Sequence, residues 1–394
     1  MALRRRWGLA LLIALCAAAG GYAAASRLGY LEPLRARFLP SMRPSIRLSP
    51  GDFPAGVSAP VGDIASIPLR PTRIGFIPRG SSAALLLATG GVRSSALDAK
   101  EHFFEGLLKA GYAMDAKALV FGREEDLRRA LTHGAGNDGV DLAALSVDRL
   151  AQWAELLRDA APRAVLMLGR SRGQDAVAGV GMESLTDLRS KRLGVYFQGS
   201  AYYFALWALS RGGISIQDVK WVSLDSSLEA GAALREGRAD AVAGLTGDVE
   251  LAARDRSGRL LVTTRDAPHL IATVLVARGE FAARYPDAIR RVIRAILDAA
   301  TSVARDPTEG ARLLGEVAPY LGDPIEAIQS EPPANLRDNL AFFGLSGEAP
   351  VTYDELLQSS SALLVKIGRA RLVATPEDTR DTAALKYIAE MRKP

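Results

Sequence analysis

The stretch from Arg192 to Ser210, RLGVYFQGSAYYFALWALS, joins a short apolar run to a polar turn and then to an amphipathic run. We predict a strand over Leu193 to Phe197, a tight turn at Gln198 to Ser200 and a helix that begins at Ala201. In a parallel α/β sheet, such a turn lies at the carboxyl end of its strand, where ligands bind and the N–H groups of the helix start are free. The stretch therefore predicts an α/β fold and a candidate recognition loop.

Two residues of this turn suit recognition. Gly199 would let a ligand approach the backbone closely, because glycine has no side chain. Ser200 could either cap the helix or donate its hydroxyl to an oxygen atom of a ligand. A common βα turn, in which Ser200 is only a cap, is the alternative interpretation.

The same alternation of strands and helices begins at Thr72 and predicts two lobes, each built on a mostly parallel sheet. We assign residues 72–168 and 269–394 to lobe 1 and residues 169–268 to lobe 2. The chain would cross near Gly169 and return near Pro268, so two hinge strands would join the lobes around a cleft that closes on a ligand. The predicted strands are Arg73–Ile77, Ala118–Phe121, Val140–Leu145, Ala164–Leu168, Leu193–Phe197, Val219–Leu224, Ala239–Leu245, Arg259–Thr264 and the returning His269–Ala277.

Helical periodicity fills the segments between these strands and most of the C-terminal part. A short capped turn is also expected at Ser184 to Leu188. The predicted helices are a helix from Ala83, Phe103–Ala110 with a stop at Gly111, Glu124–Leu131, Val147–Leu157, Leu228–Glu236, Ala283–Thr301, Pro307–Val317, Asn335–Phe343, Tyr353–Lys366 and Asp381–Met391.

The N-terminus has the pattern of an export signal. Three arginines within Met1 to Arg6 precede Trp7 to Ala25, an uncharged run rich in Leu and Ala. Small residues at its end favour cleavage, but the run also approaches the length of a membrane span, so residues 7–25 could anchor the chain to the inner membrane. Residues 26–71 are basic and proline-rich and predict a linker. We therefore expect an exported, periplasmic protein, either free or anchored.

The net charge of +5 belongs to this N-terminal part. Residues 1–48 carry eight arginines and one acid, Glu32. Subtracting these from the 49 basic and 44 acidic residues leaves a net charge of about −2 for the rest of the chain. Such a body has no strongly basic surface, and we predict no nucleic-acid partner.

The sequence offers little catalytic chemistry. Its one cysteine, Cys16, lies in the apolar N-terminal run, and the three histidines are scattered without paired spacing. A disulfide, a cysteine nucleophile and a zinc site are therefore not expected. The segment Gly169 to Gly173, GRSRG, lacks the lysine of a phosphate-binding loop, and no GxGxxG follows the first strand. We predict no catalytic residue, no metal and no cofactor.

The predicted strand ends carry hydroxyls, free N–H groups and guanidinium groups, which can donate to the oxygens of a polar or anionic small molecule. Each arginine is alternatively a solvated charge, each tyrosine a core residue, and each acid a helix cap. The candidate ligand-binding residues are Arg79, Gly80, Ser81, Ser82, Ser146, Arg170, Gln198, Gly199, Ser200, Ala201, Tyr202, Tyr203, Asp225, Thr246, Gly247 and Asp248.

The order of several segments resembles the periplasmic solute-binding proteins for nitrate, sulfonates, taurine and thiamine precursors. The resemblance covers about residues 72 to 390, and the block LTDLRSKRLGV with Gly199 and Ser200 is its most specific part. The segments are RIGFIP, EEDLRRAL, VDLAALS, SLTDLRSKRLGVYFQGSAYYFALWAL, DVKWVSL, ALREGRADAVAGL and YPDAIRRVIRAILDAA, after an export signal.

The resemblance implies a two-lobed type II periplasmic-binding-protein fold, with a ligand between the lobes and delivery to an ABC transporter permease. It places cleft positions at Arg79 to Ser82, Ser146, Gln198 to Tyr203 and Thr246 to Asp248. Family members often carry a histidine near Tyr203, so the departure leaves the ligand open. An enzymatic branch uses its own histidine with a cysteine cluster, which this chain lacks.

Three functions follow as hypotheses. The first is a solute-binding protein, expected to act as a monomer, that feeds an ABC importer. The second is an enzyme on the same scaffold that acts on a small carboxylate or heterocyclic precursor. The third is an anchored sensory domain, which an uncleaved N-terminus would favour.

Overall fold

The computed structural model describes residues 67–90, 92–94 and 112–391. For residues 92–94 it describes the backbone only. The predicted export segment, most of the predicted linker and the predicted helix at Phe103 to Ala110 lie outside these residues. Within the described ranges, no helix combines the length and apolar character that a membrane crossing requires.

The strands form two mixed sheets. The six-stranded sheet has the order β2-β3-β1-β4-β11-β5, and the five-stranded sheet has the order β10-β6-β9-β7-β8. The strands are β1 Thr72–Phe76, β2 Val92–Ser94, β3 Ala116–Val120, β4 Leu142–Ser146, β5 Arg163–Arg170, β6 Asp175–Gly179, β7 Arg192–Val195, β8 Lys220–Ser223, β9 Ala241–Leu245, β10 Arg259–Thr263 and β11 Ala272–Ala277.

Helices surround the sheets. Short 3-10 turns add to them at 135–137, 158–160, 185–188, 227–229 and 319–321. The α-helices are α1 Ser82–Thr89, α2 Glu124–His133, α3 Val147–Gln152, α4 Ser200–Arg211, α5 Ala230–Arg235, α6 Thr246–Arg254, α7 Gly279–Arg284, α8 Pro286–Arg305, α9 Thr308–Val317, α10 Pro324–Ser330, α11 Leu336–Phe342, α12 Tyr353–Lys366, α13 Pro376–Thr379 and α14 Ala383–Met391.

The longest helix, α8, shows why the helical segments fold as they do. Pro286 stands at its first position, where the missing N–H costs nothing. Ile289, Val292, Ile293 and Ile296 repeat at helical spacing and are buried. This apolar face packs against α1, which is itself almost entirely buried. The six-stranded sheet therefore lies under a continuous apolar layer.

The two-sheet α/β architecture predicted from the sequence is confirmed, but the sheets are less parallel than predicted. Strand β11 runs antiparallel to both β4 and β5. Strand β6 likewise runs antiparallel to β9 and β10. The reason is topological: β5 carries the chain out of the first sheet and β11 carries it back, so the two crossing strands point in opposite directions.

The crossing segments are tied to each other by polar contacts. Ser171 N donates to the Ile271 carbonyl at 3.0 Å, and the hydroxyls of Ser171 and Thr264 lie 2.6 Å apart. The predicted return of the chain to the first sheet after Pro268 is therefore confirmed at β11. The exact division of residues 72–394 between two lobes stays a prediction.

Most predicted elements are present with shifted ends. The helix predicted from Val147 to Leu157 is shorter, because α3 ends at Gln152 and turns follow it. The capped turn predicted at Ser184 is present, and Ser184 with Asp187 forms a capping box. The strand predicted to begin at Leu193 and the helix predicted to begin at Ala201 each start one residue earlier, at Arg192 and Ser200.

Candidate functional site

Arg79 joins the two sheets by its side-chain contacts. It follows β1, and its Nε donates to Glu331 Oε2 at 2.5 Å. Its Nη2 donates to Asp175 Oδ2 at 2.6 Å, and its Nη1 lies 3.3 Å from Ser200 Oγ. Asp175 begins β6 and Ser200 begins α4, both of which belong to the second sheet and its helices. The Arg79 guanidinium therefore spans the space between the sheets.

The Arg79 side chain is 11% exposed, so its charges act across a medium with little water. Burial alone would lower the pKa of the guanidinium, but the carboxylates of Asp175 and Glu331 outweigh burial and raise it. Arg79 therefore stays charged and holds both acids. The alternative interpretation of Arg79 as a solvated charge is wrong, since its donors reach Asp175 and Glu331, while its role in binding a ligand stays a prediction.

The two acids have further donors. Glu331 Oε1 accepts from Ser81 Oγ at 2.6 Å and from Thr273 Oγ1 at 2.9 Å. Asp175 Oδ2 also accepts from Ser171 Oγ at 2.7 Å. Guanidinium and hydroxyl donors thus surround both buried carboxylates. We call Arg79, Asp175 and Glu331, with these hydroxyls, the Arg79 cluster.

A small cavity of about 20 Å³ lies beside the Arg79 cluster. A volume of this size holds about one water molecule. The two sheets are therefore in a closed arrangement at this point. The cavity is lined by Ile77, Pro78, Arg79, Gly122, Glu124, Asp175, Ser200, Ala201, Ser227, Leu228 and Leu245.

Glu124 is, with Asp175, one of two acids of this cavity that the sequence did not identify. It is the first residue of α2, and Ser227 Oγ donates to its Oε1 at 2.5 Å. The other oxygen, Oε2, is buried and has no hydrogen-bond partner among the described residues. Burial raises the pKa of the Glu124 carboxyl, against the Ser227 hydrogen bond and the charges of Arg149 and Arg79. An acid at the first position of the helix that follows β3 was the signal that could have identified it.

The turn before α4 is fixed by side chains from the segment that follows β4 of the first sheet. Trp153 Nε1 donates to Gln198 Oε1 at 2.9 Å, and Arg149 Nη1 donates to the Phe197 carbonyl at 3.1 Å. A Cβ at Gly199 would lie 2.7 Å from Ser227 Oγ and 3.1 Å from Glu124 Oε1. The close neighbours of Gly199 are therefore the protein's own side chains, and the approach of a ligand to this backbone stays a prediction.

Ser200 does not act as the cap of α4, because Gly199 occupies the N-cap position. The Ser200 hydroxyl lies instead 3.4 Å from Asp175 Oδ1 and near Arg79. Ala201 follows it on the cavity wall. Of the predicted residues, Arg79, Ser200 and Ala201 thus line one cavity.

The turn after β1 is shaped by packing as well. A Cβ at Gly80 would lie 1.9 Å from the Ala327 carbonyl oxygen, so only glycine fits there. Gly80 N donates to Gln174 Oε1 at 3.1 Å, and Arg79 N donates to Ser82 Oγ at 3.0 Å. These contacts fix the backbone from which the Arg79 side chain extends.

The residues predicted at the end of β9 have internal partners. Thr246 Oγ1 donates to the Gly173 carbonyl at 2.5 Å, and Gly247 packs closely on the Leu321 carbonyl. Asp248 Oδ2 accepts from Gly231 N at 2.8 Å and so caps the neighbouring helix α5. Asp225 is exposed, and its N–H donates to Glu229. The cap interpretation fits Asp248, although the capped helix is not its own.

Arg170 and the two tyrosines lie outside the cavity lining. Arg170 Nη2 donates to the Val351 carbonyl at 2.5 Å, and its guanidinium lies 4.7 Å from the Phe342 ring centre. Tyr202 packs edge-on against Phe197, at 5.0 Å between ring centres. Tyr203 is buried, and burial raises the pKa of its hydroxyl.

Ser146 at the end of β4 is buried, and its hydroxyl has no hydrogen-bond partner in the part of the chain that the structure describes. The same described residues contain no group of three or more His, Cys, Asp or Glu side chains placed to hold a metal ion.

Comparisons with known proteins agree with this architecture. The family model described as NMT1/THI5 like matches residues 176–310. The sulfonate-binding protein SsuA of Escherichia coli matches with a TM-score of 0.60 and 16% identity, covering 79% of this chain and 92% of that chain. The nitrate-binding protein NrtA of Synechocystis PCC 6803 matches with a TM-score of 0.58 and 14% identity, covering 82% and 89%.

An enzyme shares the fold as well. The desulfurization enzyme DSZB matches with a TM-score of 0.53 and 14% identity, covering 82% of this chain and all of that chain. No curated protein matches the chain by sequence. The resemblance to periplasmic solute-binding proteins and their two-lobed fold are thus confirmed, while identities this low show the fold alone.

Proposed function

We propose that this chain is an extracytoplasmic solute-binding protein that captures a small polar ligand between two lobes and delivers it to an ABC importer. The observation that carries the proposal is the Arg79 contact across the cleft. One guanidinium binds Glu331 beside the first sheet and Asp175 of the second sheet, at 2.5 and 2.6 Å. A fold that brings its two sheets together over a cavity with charged side chains in its wall has the geometry that solute capture needs.

The predicted division into lobe 1, residues 72–168 and 269–394, and lobe 2, residues 169–268, belongs to this proposal. We also propose that an ABC transporter permease recognises the closed form of the protein. The matched binding proteins are periplasmic by their names. We propose the same location, reached through the N-terminal segment 1–25, and a chain that binds its solute as a monomer.

We propose binding without turnover. The serine hydroxyls at the cleft donate to carboxylates, as Ser81 does to Glu331 and Ser227 does to Glu124. A serine nucleophile normally needs a base that is itself positioned by a third group. The pairs formed here by a serine hydroxyl and a carboxylate are hydrogen-bonding arrangements, not such a catalytic set. The fold match to DSZB makes turnover the alternative to test.

Native mass spectrometry of the full chain, purified from its own cells, tests the proposal. We expect a stoichiometric small molecule that leaves the protein chemically unchanged. A solute with a Kd near one micromolar contributes about 8 kcal/mol of binding free energy, and it raises the melting temperature by mass action. A product released in place of the solute would instead support an enzyme, and a chain with no small molecule and no thermal response would refute solute binding.

A further inference from the structure

The cavity between the sheets carries more negative than positive charge. In the Arg79 cluster, two carboxylates already surround one guanidinium, at 2.5 and 2.6 Å. Glu124 adds a third carboxyl at the same cavity. The other cation that faces Glu124 is Arg149, whose Nε donates to Asp148 at 2.8 Å. Among the described residues, neither arginine forms a salt bridge with Glu124, although Arg149 Nη2 is buried without a hydrogen-bond partner.

The geometry of Glu124 leaves one oxygen to be satisfied. Ser227 supplies a donor to Oε1, while Oε2 is buried without a partner among the described residues. The cavity wall beside it includes the apolar residues Ile77, Leu228 and Leu245. A buried carboxylate oxygen without a hydrogen-bond donor raises the free energy of the protein, so the site favours a ligand that supplies a donor.

The size of the cavity restricts that donor. A volume of about 20 Å³ admits a head group about as large as one water molecule. A primary ammonium group has this size, whereas a sulfonate or a guanidinium group is larger. Its three N–H donors also match a site in which carboxylate oxygens outnumber free cations.

We propose that Glu124 recognises the solute, and that the solute presents a primary ammonium group which donates to Glu124 Oε2. This inference rests on the proposed solute-binding function and specifies its ligand class. It replaces the expectation of an anion held by Arg79, because Arg79 already has two carboxylate partners.

The proposal also predicts a dependence on pH. The groups that face Glu124 are Arg79, Arg149, Tyr196 and Tyr320, in addition to the Ser227 hydroxyl. Glu124 is the one carboxyl in this set, so the dependence on pH is attributed to it. Burial raises its pKa. An ammonium group binds the ionised carboxylate. The affinity for the solute therefore rises with pH and levels off once Glu124 is fully ionised in the solute-free protein.

Thermal-shift and calorimetric titrations of the full chain test the inference with matched probes. Ethanolamine is compared with ethylene glycol, and taurine with 2-hydroxyethanesulfonate, because each pair differs in an ammonium against a hydroxyl group. Ethanesulfonate and nitrate serve as anions. The molecule released in native mass spectrometry is identified in parallel and is expected to carry a primary amine.

Two variants make the test specific. Glu124→Gln is expected to bind an amine solute at least about tenfold more weakly, which corresponds to about 1.4 kcal/mol, while it remains folded. Glu125→Gln is the matched control, because Glu125 is the next residue on α2 and pairs with Arg129 at 3.1 Å on the surface. Its affinity is expected to equal that of the unaltered chain.

The outcomes separate the inference from the proposed function. An amine that binds the unaltered chain and Glu125→Gln, but binds Glu124→Gln weakly, supports both. A bound or co-purified solute without an amino group, or an affinity that Glu124→Gln leaves unchanged, overturns the inference and leaves solute binding intact. No bound molecule and no response to any probe overturns solute binding and the inference together.

Discussion

The two acidic groups at the cavity differ in how well their carboxylates are satisfied. In the Arg79 cluster, guanidinium and hydroxyl donors reach Asp175 and Glu331 from both sheets. Glu124, at the same cavity, has Ser227 at one oxygen and no partner among the described residues at the other. The Arg79 cluster therefore stabilises the closed structure itself, while Glu124 lacks a donor that a bound ligand would supply.

Replacing Arg79 should produce the largest effect. Arg79→Ala leaves Asp175 and Glu331 buried without their cation, and loss of one partner from a buried ion pair costs about 3–5 kcal/mol. Chemical denaturation at neutral pH should show this loss of stability. Arg79→Lys should recover part of it, because lysine cannot reproduce the forked contact. Equal stability of Arg79→Ala and the unaltered chain would mean that the cluster does not hold the sheets together.

A methyl group at position 199 should disturb Glu124 and leave the Arg79 cluster in place. The added Cβ of Gly199→Ala meets Ser227 Oγ at 2.7 Å and Glu124 Oε1 at 3.1 Å, and overpacking of this kind costs about 1–3 kcal/mol. Solute affinity should fall with stability. Gly136→Ala is the control, since a Cβ there meets no described atom within 4 Å. Similar losses in both variants would point to a general glycine effect.

Removing the hydrogen bond that positions the turn before α4 should have the smallest effect on the free energy of unfolding. Trp153→Phe removes the donor to Gln198 Oε1, which lies 2.9 Å away, and a single hydrogen bond contributes about 0.5–1.5 kcal/mol. Denaturation of the variant should show a loss in that range. A loss of several kcal/mol would mean that Trp153 packs more of the structure than this contact, because Trp153 is almost fully buried.

The local elements of the fold could be predicted from the sequence because their signals are local. Helix α12 has the predicted bounds, Tyr353–Lys366, and its start is fixed by a capping box between Thr352 and Glu355. The turn at Gln198 to Ser200 was predicted from its glycine between an apolar run and a helix. Spacing over a few residues decides such features.

The partners of the site residues could not be predicted, because they come from distant parts of the chain. Arg79 binds Asp175, 96 residues away, and Glu331, 252 residues away. Ser227 lies 103 residues from Glu124. The sequence predicted a cation after β1, but local spacing carries no information about the two acids that neutralise it. Because its partner Ser227 is also distant in the sequence, Glu124 was interpreted only as part of a charged helix.

The contrast between the two acidic groups is tested most directly by measuring the free energy of unfolding of the unaltered chain and of Glu124→Gln from pH 4 to pH 8. Burial raises the pKa of the folded Glu124 carboxyl, so the unfolded chain loses this proton at a lower pH than the folded chain. Ionisation therefore favours unfolding as the pH rises. We predict that the stability of Glu124→Gln, relative to that of the unaltered chain, rises between the ordinary and the raised pKa. A relative stability that stays constant or falls over this range would show that the Glu124 carboxylate is already satisfied and would contradict the account.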